Sequence, residues 1–577
     1  MVPAPPPRTW SLQPPHPRAP RLAAELGLPP WVGQVLCLRG HADPAQAQGF
    51  LDPRLVLLPG PESMAGLGPA LKVLVPAIQA GRTIGVAGDY DADGVTATAL
   101  MVDFLRQAGA SVVWDLPQRL RDGYGFLPAT AGRLRQAGAE VVITVDCGIS
   151  DHAGVAAAGE LGMPVVITDH HQVPAGPLVP AAAVINPHQA CCRFAPHLAG
   201  VGVAFYVAAG LRAGLRAVGH FADRPLPNLR NSLDLVAVGT CADVVPLLDH
   251  NRILVNEGLK VLNEGRREGF RALGKVAGLK GALDARDLGF ALAPRLNAAG
   301  RLSSPDQALE LLLCQDPAQA AALATGLDRL NRDRRGLEGE IFQEALEMVG
   351  GDPELAQARC LVLAKAGWHR GVLGIVASRL VERLGRPAML LAIDNGLAVG
   401  SGRSLPGFHL QRALAGLGHL LEHFGGHALA AGATLATANL PQLALGLHQA
   451  AAEQLPPLGQ GMPLELEAEV GLHDLGPELI PVLERLAPFG PGNPEPVLAL
   501  KGVEVGQASL VGEGHLRLEV RHNGRRLKGI GFNLGPRKPA AGSRVDLACT
   551  PRISSYGGRH LELVVEDLRP AQGLGSQ

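Results

Sequence analysis

Thr83-Ile84-Gly85-Val86-Ala87-Gly88-Asp89-Tyr90-Asp91-Ala92-Asp93-Gly94 is the stretch on which the fold turns. An apolar run, Thr83 to Ala87, enters an acidic turn. A run from Val95 to Leu105, with Leu100, Phe104 and Leu105 at helical spacing, leaves it. That order predicts strand, acidic turn, helix. Three carboxylates on one turn repel each other, and a bound cation is the natural way to hold them together. Asp89, Asp91, Asp93 and Gly94 also match the start of an EF-hand loop. Such a loop needs a bidentate Glu at its twelfth position, where this chain has Leu100, and a helix before it rather than a strand. Calcium storage or sensing is therefore rejected. Taken alone, the stretch could still be a plain solvated turn.

Outward from this turn the pattern repeats. Strands are predicted at Thr83–Ala87, Ser111–Asp115, Val141–Val145, Val165–Thr168 and Ala182–Ile185. Helices are predicted between them at 96–109, 128–138, 151–162 and 200–217. This βαβ series implies a parallel sheet with helices on both faces. Residues 305–350, rich in Ala, Leu, Glu and Arg, read as long helices. Leu327, Leu330 and Leu337 could face a partner domain there, although a plain connecting helix explains them as well. A second α/β unit begins near Cys360 and runs through Ile375–Leu384 and Ala388–Ile393 to Gly432. From about residue 462 the texture changes to short β-like runs, Val503–Val505, His515–Val520, Leu527–Phe532, Val545–Ala548 and Leu561–Val565, which suggest a small barrel or sandwich. Residues 1 to about 20 are Pro-rich and expected to be disordered. Residues 21–75 read as short helices and loops with no evident chemistry.

A chain of 577 residues suggests roughly three to four domains. Lys and Arg number 52 against 53 Asp and Glu, so no global basic field exists and a nucleic-acid partner must be held by a local groove. The eight cysteines include no CxxC, which excludes a zinc ribbon or thioredoxin motif. Unpatterned cysteines, with Cys191-Cys192 read as reduced thiols, fit a reducing cytoplasm. No signal peptide or membrane span is expected.

Three more stretches end an apolar run with a metal-capable residue. Val141–Val145 leads to Asp146, Val165–Thr168 leads to Asp169-His170-His171, and Leu235–Ala242, read as a strand, leads to Asp243. In open α/β sheets ligands gather at the carboxyl ends of the strands, and the first three acidic clusters share that edge. An Asp after a strand is often only a cap or turn former. Four such clusters in one domain point to a metal site. Carboxylates with one or two imidazoles suit manganese or magnesium better than structural zinc. Five or more carboxylates exceed the needs of one ion. Two ions bridged by a shared Asp would use them all, and such a pair serves in-line displacement at phosphorus, hence phosphodiester or pyrophosphate hydrolysis. Other chemistries lack support. Gly269 to Lys275 has P-loop spacing, but Val276 stands where Ser or Thr must hold magnesium, and neither HExxH nor GxSxG occurs.

Polar residues suited to a substrate lie elsewhere. Gly400-Ser401-Gly402-Arg403-Ser404 and Gly425-Gly426-His427 are Gly-rich turns that let amides approach phosphate beside an Arg and an imidazole, though ordinary glycine turns would look the same. Pro294 to Arg301 supplies Arg295 and Arg301, with fork geometry for phosphate. Arg119 and Arg121 follow the predicted strand at 111–115, on the edge of the acidic clusters.

Asp89–Gly94 and Asp169-His170-His171 resemble the signatures of the DHH phosphoesterase superfamily. Gly88–Ala99, Asp122–Gly125, Thr144–His152, Leu198–Tyr206, Asp234–Leu247, Leu288–Leu302, Trp368–Leu380, Gly400–Leu410 and Phe424–Gly432 resemble, more closely, the bacterial RecJ family of single-stranded-DNA exonucleases. The resemblance is strong over residues 80 to 435 and extends to the C-terminal region in layout. It implies an α/β architecture, with a parallel-sheet DHH domain (76–265) and a smaller α/β DHHA1 domain (351–455) joined by a helical connector (266–350). An OB-like β-barrel (462–577) follows, and residues 1–75 form an N-terminal segment. It implies Mn2+- or Mg2+-dependent removal of 5′ nucleotides from single-stranded DNA, with two ions, in repair and recombination.

By motif position the resemblance makes Asp91, Asp93, Asp146, His170 and Asp243 metal ligands, with Asp89 and His171 as ligand or support. Asp91, Asp93, Asp146, His170 and His171 form the catalytic set. Arg119, Arg295, Asn297, Arg301, Ser401, Arg403, Gly425, Gly426 and His427 fall in motifs that look like the strand-holding ones. Many DHH enzymes carry a His where this chain has Ala87. Cys147, a soft thiol after Asp146, would make the site prone to zinc inhibition. The expected partners are single-stranded DNA, a single-strand-binding protein and a helicase, with no membrane, and the expected state is a monomer. A DHH enzyme for short oligonucleotides or cyclic dinucleotides, or a catalytically silent DNA-binding scaffold, are the rival readings. The C-terminal β region opposes the first and the intact acids oppose the second. In that region Arg525, Arg526, Lys528, Arg552, Tyr556 and Arg559 are the expected strand contacts.

Overall fold

A computed structural model of the chain describes residues 8–571 except 120, 175, 459–462, 513 and 555–558, so that Tyr556 lies outside the described residues. The first sheet comes from the βαβ series. Its strands are β1 (Ile84–Ala87), β2 (Val112–Asp115), β3 (Val141–Thr144), β4 (Val165–Thr168) and β5 (Ala183–Ile185), all parallel, in the order β2-β1-β3-β4-β5. β1, β3 and β4 are continuous apolar runs buried on both faces, as parallel strands covered by helices must be. The strand order reverses at β1 and β3, and ligands bind at the carboxyl ends of the strands at such a switch point. Helix α1 (Ala92–Gln107) leaves β1, α2 (Gly200–Ala217) follows the sheet, and α3 (Leu233–Ala242) packs against both.

The run 235–242 is therefore helix rather than strand. Its eight residues are apolar or small on every side, and such a run is a buried helix or a buried strand by pattern alone. Here it is wedged between α1 and α4 (Asp249–Asn263). Asp243 consequently caps a helix instead of ending a strand.

Helix α5 (Ala293–Leu302) precedes the 35-residue α6 (Pro317–Gly351). Ala320, Ala324 and Leu327 of α6 enter the core of the first unit, while Ile341, Ala345 and Val349 enter that of the second. The α6 helix thus packs on both units through different turns of one rigid rod. The second unit holds β6 (Leu361–Ala366), α7 (Leu373–Leu384), β7 (Ala388–Asp394), β8 (Leu397–Arg403), β9 (His423–Gly426) and β10 (Ala430–Ala436). Its sheet order is β9-β10-β8-β7-β6, with only β6 and β7 parallel.

Strands β11 (Leu498–Val511), β12 (His515–His522), β13 (Arg525–Gly531), β14 (Arg544–Ser554) and β15 (His560–Pro570) close a barrel in the order β11-β12-β13-β15-β14 and back to β11. This closed five-stranded barrel is consistent with an OB fold. The expectation of a disordered start fails for the described part. Trp10–Leu12 pairs in parallel with Leu464–Leu466, the Trp10 indole donates to Asp567, and the Arg569 guanidinium stacks 4.1 Å from its ring. Leu22, Trp31, Val32 and Leu36 share one core with the barrel strands, which no local pattern could reveal.

Candidate metal centre

The acids gather where β1, β3 and β4 end. Asp91 is the N-cap of α1, accepting from the amides of Asp93 (2.9 Å) and Gly94 (3.0 Å), which fixes the turn after β1. Asp93 points the other way and accepts from the amides of Gly200 (2.7 Å) and Val201 (2.9 Å) at the start of α2. Asp146 adopts a left-handed φ of 63° after β3, and a Cβ on Gly200 would stand 2.3 Å from its Oδ1. The bare backbone at 200 is what lets α2 close over the site.

His170 Nε2 lies 3.1 Å from Asp146 Oδ1, 3.6 Å from Asp243 Oδ2 and 3.8 Å from Asp93 Oδ2. Three sets of potential ligand atoms converge: Asp89, Asp91 and Asp146; Asp146, His170 and His171; Asp93, His170 and Asp243. Asp146 and His170 each belong to two sets, so the sets are contiguous. The buried oxygen Asp89 Oδ1 has no hydrogen-bond donor, and Asp146 Oδ1 has the His170 imidazole at ion-pair distance but no contact with hydrogen-bond geometry. Buried carboxylate oxygens without donors are costly, and a divalent cation is the group that satisfies them. The donor set, carboxylate oxygen with imidazole nitrogen, fits manganese or magnesium.

Electrostatics agree with this fit. Burial, reinforced by Asp91, raises the Asp89 carboxyl well above the usual range, and burial with Asp93 and Asp91 does the same to Asp146. Asp243 is pushed up to about 7 by burial and the charge of Asp93. Asp169 behaves differently. Burial pushes it up, but the His171 side chain and the amides of His171 and Ile149 together hold it below the ordinary value. Its Oδ1 takes His171 Nδ1 at 2.7 Å, which orients the imidazole and, against burial, raises it to about 9. His171 Nε2 then meets the Tyr124 hydroxyl at 3.0 Å. Tyr124 is a site residue to which sequence reasoning gave no role, and Asp169 is one that it read only as part of an acidic cluster. Both stand inside the motifs that carry the resemblance, and an aromatic set between glycines at 123 and 125 was the available signal.

Cys147 does not present a thiol to the centre. It is buried in the apolar cluster on the opposite face of the sheet, with Sγ 3.8 Å from Ala87 O, and burial with the charge of Asp169 pushes the thiol well up. The expected thiolate weakness toward zinc has no basis in this geometry.

The arginines form a second group. Arg119 stacks 5.3 Å from the Tyr90 ring, beside Asp89. Arg301 is lowered to about 10 by burial, then by Arg119 and Arg334, and Arg403 is lowered by burial and Arg119. Three guanidinium groups from α5, β8 and the segment after β2 therefore share one neighbourhood beside the acids. Arg403 lies over Gly374 in the first turn of α7, and Ser401 is two residues back on β8. Arg121 instead pairs with Asp122 at 2.8 Å. Arg295 is held by Asp328 (2.9 Å), and Asn297 Oδ1 accepts from the Ala92 amide (2.8 Å), so these two side chains brace α5 against α6 and the acidic turn. Gly425, Gly426 and His427 are exposed at the β9–β10 hairpin. In the barrel, Arg525, Arg526 and Lys528 are exposed along β13, with Arg525 3.7 Å from Glu478, while Arg552 pairs with Glu495 and Arg559 with Glu484.

Family models match residues 83–240 to the DHH family N-terminal domain, 355–453 to the DHHA1 domain and 466–567 to the RecJ OB domain. The chain is 41% identical over 544 residues to the single-stranded-DNA-specific exonuclease RecJ of Dickeya dadantii, spanning 91% of this chain and 92% of that one. Crystal structures of RecJ from Thermus thermophilus are similar over 98% of this chain. The complex with Mn2+ gives a TM-score of 0.81 at 32% identity and 80% of its own length. The complex with Mg2+ gives 0.75 at 31% identity and 79% of its own length. The chain belongs to the RecJ family of single-stranded-DNA-specific exonucleases.

Proposed function

We propose that this chain is a metal-dependent exonuclease that hydrolyses single-stranded DNA from the 5′ end and releases mononucleotides. The observation that carries the reading is the meeting of two oppositely charged groups, buried acids around Asp146 and guanidinium groups around Arg119, within one site. Asp89, Asp91 and Asp146 would hold one Mn2+ or Mg2+ ion, and Asp93, His170 and Asp243 a second, with Asp146 and His170 belonging to neighbouring sets. Bound divalent ions supply charge stabilisation at the phosphoryl oxygens and a nucleophile at neutral pH. Arg119, Arg301 and Arg403 bind and orient the phosphate, where an anion relieves the repulsion of Arg301 and of Arg403 by Arg119. Asp169 holds the proton on His171 Nδ1 and so fixes which edge of that ring faces Tyr124 and the reacting phosphate.

The barrel supports a long strand over a dinucleotide as substrate. All eight cysteines are free thiols, which supports a reducing cytoplasm, and no described helix is long and apolar enough to cross a membrane. A monomeric state and work beside a single-strand-binding protein and a helicase belong to the same reading. The test uses single-stranded DNA labelled at either end, duplex DNA and a dinucleotide, each with and without manganese. Release of 5′-labelled mononucleotide from the single strand only, and only with metal, is expected. Preference for the dinucleotide or release from the 3′ end would overturn it.

A further inference from the structure

We propose that Asn251 is a positioning residue for the second cation set, Asp93, His170 and Asp243, and that the segment 485–493 leading into the barrel is the seat on which that set is held. This rests on the two-ion reading of the metal centre. The carboxylates of Asp91 and Asp93 each take two main-chain amides. That of Asp243 takes no hydrogen bond among the described residues and has only the His170 imidazole at 3.6 Å. Asp243 caps the C-terminal end of α3, so its place also depends on the loop that follows it. That loop is strained at both ends. Val244 has a φ of 60°, and Asp249, where α4 begins, has 42°. A β-branched residue in the left-handed region persists only where its surroundings hold it there.

Asn251 does the holding. This side chain is 1% exposed and donates to Pro246 O at 2.9 Å and to His197 O at 2.6 Å. Pro246 belongs to the Asp243 loop. His197 lies just before Gly200, whose amide holds Asp93. One side-chain amide thus ties the Asp243 loop to the segment that fixes Asp93, the other carboxylate of the same set. Its oxygen, Oδ1, is buried and accepts nothing. An unpaired buried amide oxygen is costly, so the two donations are what an asparagine contributes at this position.

Beneath the loop lies the segment before the barrel. The Leu247 amide donates to Pro491 O at 2.7 Å. At Gly492, where φ is 74°, a Cβ would stand 3.1 Å from Pro246 Cβ. Arg252, beside Asn251 and 2% exposed, donates to Arg485 O at 2.9 Å, Ala487 O at 2.8 Å and Phe50 O at 2.9 Å. It has no carboxylate partner among the described residues. A buried guanidinium in that position is stable only while those carbonyls stay in place, which locks the start of α4 to the segment 485–493. The barrel unit therefore supports the metal centre itself, and even a strand too short to reach the barrel is cut at a rate that depends on this seat.

Manganese titration of the full-length chain by calorimetry tests this without turnover. Wild type should bind two ions. Asn251→Leu keeps the size of the side chain and removes its donors. Gly492→Ala, on the barrel side, removes no hydrogen bond and presses on Pro246. Each should leave one ion at wild-type affinity and weaken the other about tenfold, as loss of the groups that orient a metal ligand does. The exchange-coupled signal of a manganese pair in electron paramagnetic resonance should fade at a metal concentration that saturates the wild type, and return with excess manganese. On a short oligonucleotide kcat should fall with KM unchanged, and excess manganese should restore it. Unchanged affinity for both ions in Asn251→Leu, or equal loss of both, would overturn the positioning role. An effect in Asn251→Leu with none in Gly492→Ala would overturn the seat. A wild-type chain that binds fewer than two ions would overturn the two-ion reading and the proposal with it.

Discussion

Asp93 is held by two main-chain amides and Asp169 by an imidazole and three amides, whereas Arg301 and Arg403 are each lowered by burial and by the charge of Arg119. The acidic side of the site is built into helix starts and strand ends, so its geometry is set by backbone hydrogen bonds. The basic side is assembled from three distant segments that repel. Two of its neighbours, Arg295 and Asn297, are committed to bracing. The difference teaches that the acids are a rigid template for cations, while the arginines are arranged for an anionic guest whose binding relieves their repulsion.

The largest effect should come from breaking the acidic side. Asp146→Asn should lower manganese-dependent hydrolysis by at least about 10³-fold, since it removes an electrostatic partner shared by two ligand sets. Thermal unfolding of the metal-free variant should occur at the same or higher temperature, because one of several crowded carboxylates is gone. Near-normal turnover would place the centre elsewhere. Asp91→Ala is the less clean variant, because Asp91 also caps α1 and its loss costs about 1 kcal/mol of stability.

Next is the basic side. Arg403→Ala removes a charge-assisted bond to phosphate worth roughly 1.5–3 kcal/mol, so kcat/KM should fall about 10- to 100-fold with manganese binding unaltered. His427→Ala should likewise lose rate and keep its bound manganese. A calorimetric titration in which either variant loses a metal site would break the division between the two sides.

Tyr124→Phe sharpens the comparison at the join. It deletes only the hydroxyl that meets His171, a partly exposed hydrogen bond of about 0.5–1.5 kcal/mol, and kcat should fall roughly 2- to 10-fold. No change would mean that the His171 ring is held by Asp169 alone.

The smallest effect is expected at the barrel. Arg525→Glu with Arg526→Glu should weaken long-strand binding and flatten its salt dependence by about 0.7 log unit for each phosphate left without its cation. Fluorescence anisotropy at several salt concentrations measures the slope, and an unchanged slope would assign this hairpin to a protein partner or to structure. Deleting residues 462–577 is a poorer test, because Leu22, Trp31 and Leu36 would lose the core they share with the barrel.

Much of this was legible in the chain because it is local. A buried parallel strand reads as an apolar run, a helix start reads as Asp with its amide partners two and three residues on, and both occur at 84–94. The strand at 165–168 delivers His170 and His171 to the edge where Asp91 stands, and that followed from the alternation of elements alone. The run 235–242 failed for an equally physical reason. Buried helix and buried strand share one pattern, and only packing between α1 and α4 chose helix.

Periodicity and turn chemistry were thus sufficient for the parallel sheet, the acidic turn and the gathering of carboxylates at one sheet edge, since each depends on hydrogen bonds between near neighbours. Tertiary structure alone decided that Trp10 seats against Asp567, that Arg119 meets Arg301 and Arg403, and that Cys147 is buried in an apolar cluster. Those contacts join residues far apart in the chain. Their energy comes from apolar burial and from charges brought together by the whole fold, and neither leaves a trace in the spacing of adjacent residues.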